Sequence, residues 1–250
     1  MRSGPSWRWL CLVVGFLGLL SPPQALAWEN DAWGARVKIT FDNTGQAQNL
    51  VNFPVLIRLD SSRIGYFRTQ DAGQDIRFVD ADDITVLDHE IEVWDETGTS
   101  YVWVRVPQID ALSSIDFIYL YYDNVNSADG QNATGVWNAN YQGVWHLKED
   151  PSGPPPQVRD STSSGLHGTS GGVMTAGDQV GGQIDGSLDF DGGDDFVATG
   201  VSGVMANLAS FTMSAWVAPR AGQPDFAGIV DYDDSGGGSN FEASIEMRPS

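Results

Sequence analysis

The sequence contains 250 residues, of which 33 are acidic and 13 are basic, so its formal net charge at pH 7 is −20. A surface this acidic repels phosphate groups, which argues against a nucleic-acid partner and favours solubility or divalent-cation binding. Cys11 is the single cysteine, so no disulfide can form within the chain, and the fold must be held by its core or by metal ions.

The N-terminus has the pattern of a signal peptide. Arg2 and Arg8 precede an apolar run at 10–20, and a small-x-small site, Ala25–Ala27, precedes Trp28. We therefore expect cleavage of residues 1–27 and a mature chain that is secreted, periplasmic or at the cell surface. The eleven apolar residues of the run are too few for a membrane span, which needs about 20. Removing two arginines from 13 basic residues leaves 11 against 33 acids, a mature charge of −22.

The rest of the sequence predicts an all-β protein. Short alternating apolar runs are separated by Gly, Asp, Asn and Ser, and helical periodicity is nearly absent. The stretch 124–140 is rich in Asn, Ala, Asp and Gly, which is typical of a joint between domains. We therefore expect two β-sandwich domains of the jelly-roll kind, one at 28–138 and one at 139–250.

The stretch 87–107, LDHEIEVWDETGTSYVWVRVP, predicts a hairpin around Thr97 and Gly98. With these residues at the centre of the turn, the numbers of paired residues add up to 195. One face of the hairpin is then apolar, and the other carries an ion pair and an aromatic pair. The predicted apolar pairs are Ile91 with Val104 and Val93 with Val102, and the opposite pairs are Glu90 with Arg105, Glu92 with Trp103 and Trp94 with Tyr101.

The hairpin lies in a segment that carries a family resemblance. The pieces DIRFVDAD, EIEVWD, YVWVRVP and IYLYYDN follow one another between 75 and 124. Their order resembles the bacterial and archaeal family of unknown function called DUF2341, over about 33–126. The resemblance implies a domain assignment and no established chemistry.

A second resemblance rests on four pieces of the other half. GVWHLKED begins at 143, DSTSSGLHGT at 160, GSLDFDGGDDFV at 186 and SFTMSAWVAP at 210, each an alternating strand or a tight turn. Together they resemble the laminin G-like branch of the concanavalin A-like lectin and glucanase superfamily. This resemblance implies a jelly-roll domain whose closing strands are missing at the C-terminus, so we expect the chain to be part of a longer protein.

Aromatic side chains on the predicted strands provide candidate ligand-binding residues. Trp94, Tyr101 and Trp103 share a predicted face, and Tyr119 and Tyr121 are candidates for the neighbouring strand. A flat row of rings on a sheet can stack on sugar rings. The alternative is that these rings pack inside the sandwich or lie under the N-terminal segment around Trp28 and Trp33.

Two sets of acidic residues are candidate calcium ligands. Asp231, Asp233, Ser235 and Glu242 have the spacing of an EF-hand loop with Gly236 at its bend, although the apolar runs on both sides predict strands. The laminin G-like resemblance implies a different site, with a rim ion held by loop groups at Asp160, Asp191 and Asp194. Solvated acidic loops are the alternative for both sets.

No catalytic group is predicted. Glu90, Glu92 and Asp95 resemble the clustered acids of sandwich-fold endoglucanases, but Arg105 opposite Glu90 is expected to keep that carboxylate ionised, and a general acid needs the opposite shift. The sequence therefore predicts an exported, non-catalytic binding or adhesion protein with a glycan or cell-surface ligand. The alternative is the extracytoplasmic head of an envelope assembly, such as a pilus-like adhesin or a proton-channel-type membrane protein.

Overall fold

The computed structural model describes residues 32–199, 209–220, 227–233 and 242–247, so the expected signal peptide, Cys11 and Trp28 lie outside the described ranges. Helical structure there is limited to the short helix α1 (Ala133–Val136) and two single 3-10 turns, Tyr66–Arg68 and Ala176–Asp178. The described strands are β1 (Ala35–Thr40), β2 (Leu50–Leu59), β3 (Arg77–Asp80), β4 (Val86–Leu87), β5 (His89–Val93), β6 (Ser100–Ile109), β7 (Phe117–Tyr122), β8 (Thr169–Gly171), β9 (Gln179–Gly181), β10 (Gly186–Leu188), β11 (Phe196–Ala198), β12 (Ala227–Asp233) and β13 (Glu242–Met247).

Strands β1 to β7 form two antiparallel sheets that share one core. The four-stranded sheet has the order β1-β7-β3-β4 and the three-stranded sheet the order β2-β6-β5. Apolar side chains from both sheets are fully buried in a single cluster, among them Phe78 of β3, Leu120 of β7 and Val104 of β6. Burying one face of each sheet in this way is the packing of a β-sandwich, and the all-β prediction is confirmed.

The predicted register of the β5–β6 hairpin is wrong by two residues at His89 to Ile91 and by one residue at Val93. The observed pairs are His89 with Val104, Glu90 with Trp103, Ile91 with Val102 and, after a bulge, Val93 with Tyr101. Because side chains alternate with a period of two, a shift of two residues leaves each β6 side chain on its predicted face. Val102 and Val104 are accordingly both buried.

The loop of this hairpin accounts for the shift. β5 ends at Val93 and β6 begins at Ser100, so the connection is much longer than a two-residue turn. The Asp95 carboxylate accepts hydrogen bonds from the backbone N–H and the hydroxyl of Thr97, at 2.9 and 2.8 Å. The Ser100 hydroxyl accepts a bond from the Asp95 N–H at 2.9 Å. These side-chain bonds stabilise the wider loop in place of the expected tight turn.

Strand β7 separates the two faces of the four-stranded sheet. Ile118 and Leu120 point into the core and are fully buried, whereas Phe117 and Tyr119 point outward and are half-buried. Tyr121 also points outward, and it is buried by its neighbours on that face. The alternation of this segment in the sequence is therefore a true two-face pattern.

The described strands after the sandwich form two-stranded ladders. β8 pairs with β11, β9 with β10 and β12 with β13. The strand predicted at 210–219 is wrong, because this segment has no strand structure and its Phe211 and Trp216 are 41% and 80% exposed. The described residues of the second half do not form a second sandwich, and the jelly roll expected there stays a prediction.

Among the described residues, no helix has both the length and the apolar character needed to cross a membrane.

Candidate functional site

A buried cluster of charges lies on the side of β5 that faces away from the core. Glu90 and Glu92 project from this side, and His146 lies between them, with its Nδ1 2.6 Å from Glu92 Oε2 and its Nε2 3.4 Å from Glu90 Oε2. Lys148 adds a second cation, with Nζ 3.4 Å from Glu92 Oε1 and 2.6 Å from the Glu92 carbonyl oxygen. We call these four residues the charge cluster. Its two formal negative charges are balanced by two cations.

Neutral donors complete the environment of the two carboxylates. The indole N–H of Trp137 donates to Glu90 Oε2 at 2.8 Å, and the Ser161 hydroxyl donates to Glu90 Oε1 at 2.6 Å. The indole N–H of Trp103 donates to Glu92 Oε2 at 3.0 Å. Every carboxylate oxygen of the cluster therefore has a donor or a cation beside it, which is the condition for burying an ion pair without a large penalty.

The contacts in the charge cluster shift the pKa values of His146, Glu90 and Glu92 toward the ionised forms. Burial lowers the pKa of His146, but the hydrogen bonds and charges of Glu90 and Glu92 raise it by more, to about 9. Burial raises the pKa values of both glutamates, but the hydrogen bonds and charge of His146, together with the other donors and Lys148, lower them by more, so both pKa values lie below their usual range. At neutral pH the site therefore holds an imidazolium between two carboxylates.

This arrangement is unsuited to hydrolysis. The side chains of Glu90 and Glu92 are only 11% and 3% exposed, and a substrate would have to displace the groups that already bond them. A retaining glycosidase also needs one carboxylic acid that stays protonated, whereas both groups here are held ionised. The predicted partner of Glu90 was wrong: Arg105 pairs with Asp88 at 2.6 Å, and His146 takes its place.

The charge cluster fastens the segment after the predicted domain joint to the sandwich. The segment after helix α1 is still in contact with the three-stranded sheet at Asn138, because Asn138 Nδ2 donates to the carbonyl oxygen of Asn52 in β2 at 3.3 Å. The rings of Trp137 and Trp103 lie 5.2 Å apart. Further along the chain, His146 contacts Glu90 and Glu92 of β5. Sequence reasoning missed this role because His146 lies 56 and 54 positions from its two partners, and no local spacing connects them.

The three aromatic residues predicted to bind a ligand do not form a row. Trp94 turns to the core side, where its ring packs at 5.3 Å against Tyr66 and over Gly73, whose absent Cβ would lie 2.7 Å from the indole. Trp103 lies on the opposite side, in the charge cluster. Tyr101 is half-buried, with Arg58 at 5.8 Å from its ring. The predicted packing inside the sandwich thus describes Trp94, whereas Trp103 packs on the outward side against Trp137.

A continuous aromatic row lies elsewhere, on the outward side of the four-stranded sheet. The ring centroids of Phe117 and Tyr119 are 5.3 Å apart, those of Tyr119 and Tyr121 are 6.4 Å apart, and those of Tyr121 and Trp33 are 6.5 Å apart. The expected contact with the N-terminal segment is thus present at Trp33. Cations from the adjacent strands lie over these rings, so we call the surface the aromatic face; it comprises Trp33, Arg36, Lys38, Arg77, Phe117, Tyr119 and Tyr121.

The predicted rim acids separate into two groups. Within the described ranges, Asp191, Asp194 and Asp195 bring one carboxylate oxygen each to within 4.8 Å of one another, and this set suits the hard oxygen ligands that calcium prefers. Asp160 is not part of this set. Its two oxygens accept bonds from the backbone N–H groups of Val144, Thr162 and Leu166 and from the Thr162 hydroxyl, at 2.8 to 3.0 Å, so it stabilises a turn.

The EF-like spacing lies on a β-hairpin. β12 and β13 pair with each other, with Asp233 opposite Glu242, which confirms the strands expected on both sides of this loop. Asp231 is exposed on β12. Ser235, Gly236 and the side chains of Asp233 and Glu242 lie outside the described residues, so calcium binding at this loop stays a prediction.

Comparison with known proteins found a family match in the first part of the chain. Residues 72–146 match the model of a family described as a domain of unknown function, DUF2341. No curated protein and no solved structure matched the chain. The lectin-like resemblance of the second half therefore stays a prediction. The match confirms the first resemblance over 72–146, a stretch that contains β5, β6, β7 and His146.

Proposed function

We propose that the protein is an exported, non-catalytic binding protein that contacts glycans through the aromatic face. The observation that carries the proposal is the pair of half-exposed rings of Phe117 and Tyr119, which lie next to the buried rings of Tyr121 and Trp33 on one side of a sheet. The exposed edges of aromatic rings offer apolar area to the C–H groups of sugar rings, and tyrosine adds a polar tip for hydroxyl groups.

The charge cluster supports the non-catalytic part of the proposal. It is the part of the described sandwich that most resembles an acid pair of a glycosidase, yet its carboxylates are buried and bonded to fixed neighbours. Ionised carboxylates with satisfied hydrogen bonds stabilise a fold and have no proton to give to a leaving group. Binding without turnover is the activity that such a sandwich can provide.

Affinity electrophoresis of the mature protein through gels that contain soluble polysaccharides tests the proposal. We expect retardation by at least one polysaccharide, and loss of that retardation in Tyr119→Ala. Phe67→Ala is the matched control, because Phe67 is 91% exposed and belongs to the 3-10 turn after β2. Circular dichroism checks that both variants fold. Retardation that is unchanged in Tyr119→Ala, or lost equally in Phe67→Ala, would overturn the assignment to the aromatic face.

A further inference from the structure

We propose that the ligand of the aromatic face is an anionic polysaccharide that carries carboxylate sugars, such as a polyuronate. This inference rests on the proposed glycan-binding function and names the class of ligand. Its basis is that the rings of the face are covered by cations, in a chain that is otherwise strongly acidic.

Two cations lie directly over the half-exposed rings. Lys38 Nζ is 3.6 Å from the centroid of the Phe117 ring, and the Arg36 guanidinium carbon is 4.2 Å from that of Tyr119. A neutral sugar that stacked on these rings would have to displace the cations and lose the attraction between cation and ring. An anionic sugar would instead pair with the cations where they stand, and its apolar side would meet the ring edges.

Cations outnumber carboxylates on the aromatic face, where Asp83 also accepts a hydrogen bond from the Tyr121 hydroxyl. The outward positions of β1, β7 and β3 contribute Arg36, Lys38 and Arg77 and no acidic residue, as the pairing registers of the three strands show. Asp83 approaches from the loop before β4 and pairs with Arg36 at 2.8 Å. Lys38 forms no salt bridge with any described residue, so within that part of the molecule its charge is available to a ligand.

The acidity of the whole molecule selects among anionic partners. Duplex DNA carries one charge per ~1.7 Å, so within one screening length it presents a higher density of negative charge to this acidic molecule than a polyuronate does, and it is repelled more strongly. A polyuronate carries at most one charge on each sugar and has apolar ring faces between the charges. At physiological ionic strength, charges more than about 8 Å away are largely screened, so the cations of the face act locally on such a ligand.

Titration with polygalacturonate and with dextran, both in EDTA, tests the ligand class by isothermal calorimetry. We expect the polygalacturonate to bind more tightly than the dextran and to bind less tightly as salt is added. Lys38→Gln should weaken polygalacturonate binding about fivefold, the upper range for one exposed ion pair, and Lys38→Arg should restore it. Arg63→Gln is the matched control, because it removes one exposed cation outside the aromatic face.

The outcomes separate this inference from the function on which it rests. If dextran bound as tightly as polygalacturonate, and if this binding depended on Tyr119, the proposal of an anionic ligand would be overturned. The proposal of glycan binding would remain. Binding of neither polysaccharide would count against both proposals. Equal losses of polygalacturonate affinity in Lys38→Gln and Arg63→Gln would show that binding does not depend on the aromatic face. Equally tight, Lys38-dependent binding of duplex DNA or of vesicles of anionic lipid would overturn the choice of a polysaccharide.

Discussion

At the scale of single residues, His89 in the sandwich and His146 beside it have surroundings that shift their pKa values in opposite directions. His146 is held between two glutamates, which raise its pKa to about 9. His89 is buried against Phe78 in the core, and burial lowers its pKa to about 4. Neither ring nitrogen of His89 has a hydrogen-bond partner among the described residues. Protonation therefore stabilises the folded state at one histidine and destabilises it at the other.

The first prediction concerns His146 and the alkaline side of neutrality. Because its folded pKa lies above the ordinary 6.5, its contribution to stability is complete below pH 6.5 and is lost as pH rises through about 9. The loss should be about 3 kcal/mol in the free energy of unfolding. Urea denaturation at pH 6 to 10 measures it. His146→Gln should be less stable at pH 7 and should lack this pH dependence, and a dependence equal to that of the native protein would contradict the assignment.

The second prediction concerns His89 and the acid side. Its folded pKa lies below 6.5, so the unfolded state takes up the proton first, and stability should fall by about 3 kcal/mol between pH 6.5 and pH 4. His89→Leu should remove part of this fall. It should also raise the free energy of unfolding at pH 7 by about 1 kcal/mol, because two unpaired polar atoms leave the core.

The matched control for His89 is His167, whose Nδ1 accepts the Asp160 N–H at 3.0 Å. His167→Leu breaks that hydrogen bond and should lower the urea midpoint at pH 7. If His89→Leu lowered the midpoint as much as His167→Leu does, the ring of His89 would have partners that stabilise the fold.

At the scale of elements, the β5–β6 hairpin shows how a wrong register can leave the faces right. The bulge between Ile91 and Val93 and the loop closed by Asp95 move the pairing by two positions. Because side chains alternate along a strand, Val102 still faces the core, and Trp103 still faces the other way. Glu90 and Glu92 are two positions apart, and both project to the side where His146 lies.

The third prediction compares two neighbours on β6. Val102→Asp places a carboxylate in the fully buried core without a partner, and we expect it to prevent folding. Trp103→Ala removes a half-buried ring and its bond to Glu92, which should cost about 3 kcal/mol and leave a folded protein. Urea midpoints and circular dichroism measure both. A lower midpoint for Trp103→Ala than for Val102→Asp would mean that the faces of β6 are inverted.

The fourth prediction concerns calcium at the turn after β10. If the group of Asp191, Asp194 and Asp195 binds calcium with a Kd of ~0.1 mM, 1 mM calcium should stabilise the fold by about 1.4 kcal/mol and raise Tm by a few degrees. Thermal unfolding in calcium and in EDTA at equal ionic strength measures the difference, which Asp194→Asn should abolish.

Asp160 and Asp231 provide the controls for this calcium experiment. Asp160→Asn should lower Tm equally with and without calcium, since Asp160 stabilises a turn. Asp231→Asn should leave the difference unchanged. Equal Tm values of the native protein in calcium and EDTA would show that calcium does not stabilise the fold. A difference that is lost only in Asp231→Asn would place the calcium site at the β12–β13 hairpin.

At the scale of the whole molecule, long-range charge pairs join the two halves of the chain. Lys148 and Glu92 are 56 positions apart, and their contact fixes the segment after α1 on the sandwich. The net charge of −20 favours solubility and weakens association with nucleic acids, while cations concentrate on the aromatic face.

The fifth prediction concerns export. The small residues Ala25 and Ala27 should direct cleavage before Trp28, so N-terminal sequencing of the exported protein should begin at Trp28. Ala25→Arg should block cleavage at this bond. Recovery of residues 1–27 on the exported native protein would show that the N-terminus is not a cleaved signal peptide.

The sequence by itself determined the features that depend on local alternation. The period of two along β6 predicted that Val102 and Val104 lie on an apolar face, and both are buried, because one face of a strand must be apolar to pack against another sheet. The runs on both sides of Asp231 likewise predicted strands, which the β12–β13 ladder confirms.

The tertiary structure alone decided which side chains meet across long stretches of the chain. The charge cluster joins β5 to His146, and the aromatic row joins β7 to Trp33, contacts between residues that are far apart in sequence. The bulge and the Asp95 loop set the register, and the order of strands placed β7 and β6 in different sheets, which separated the tyrosines of β7 from Trp103. Such contacts depend on strand order and loop geometry, and a pattern with a period of two carries no information about either.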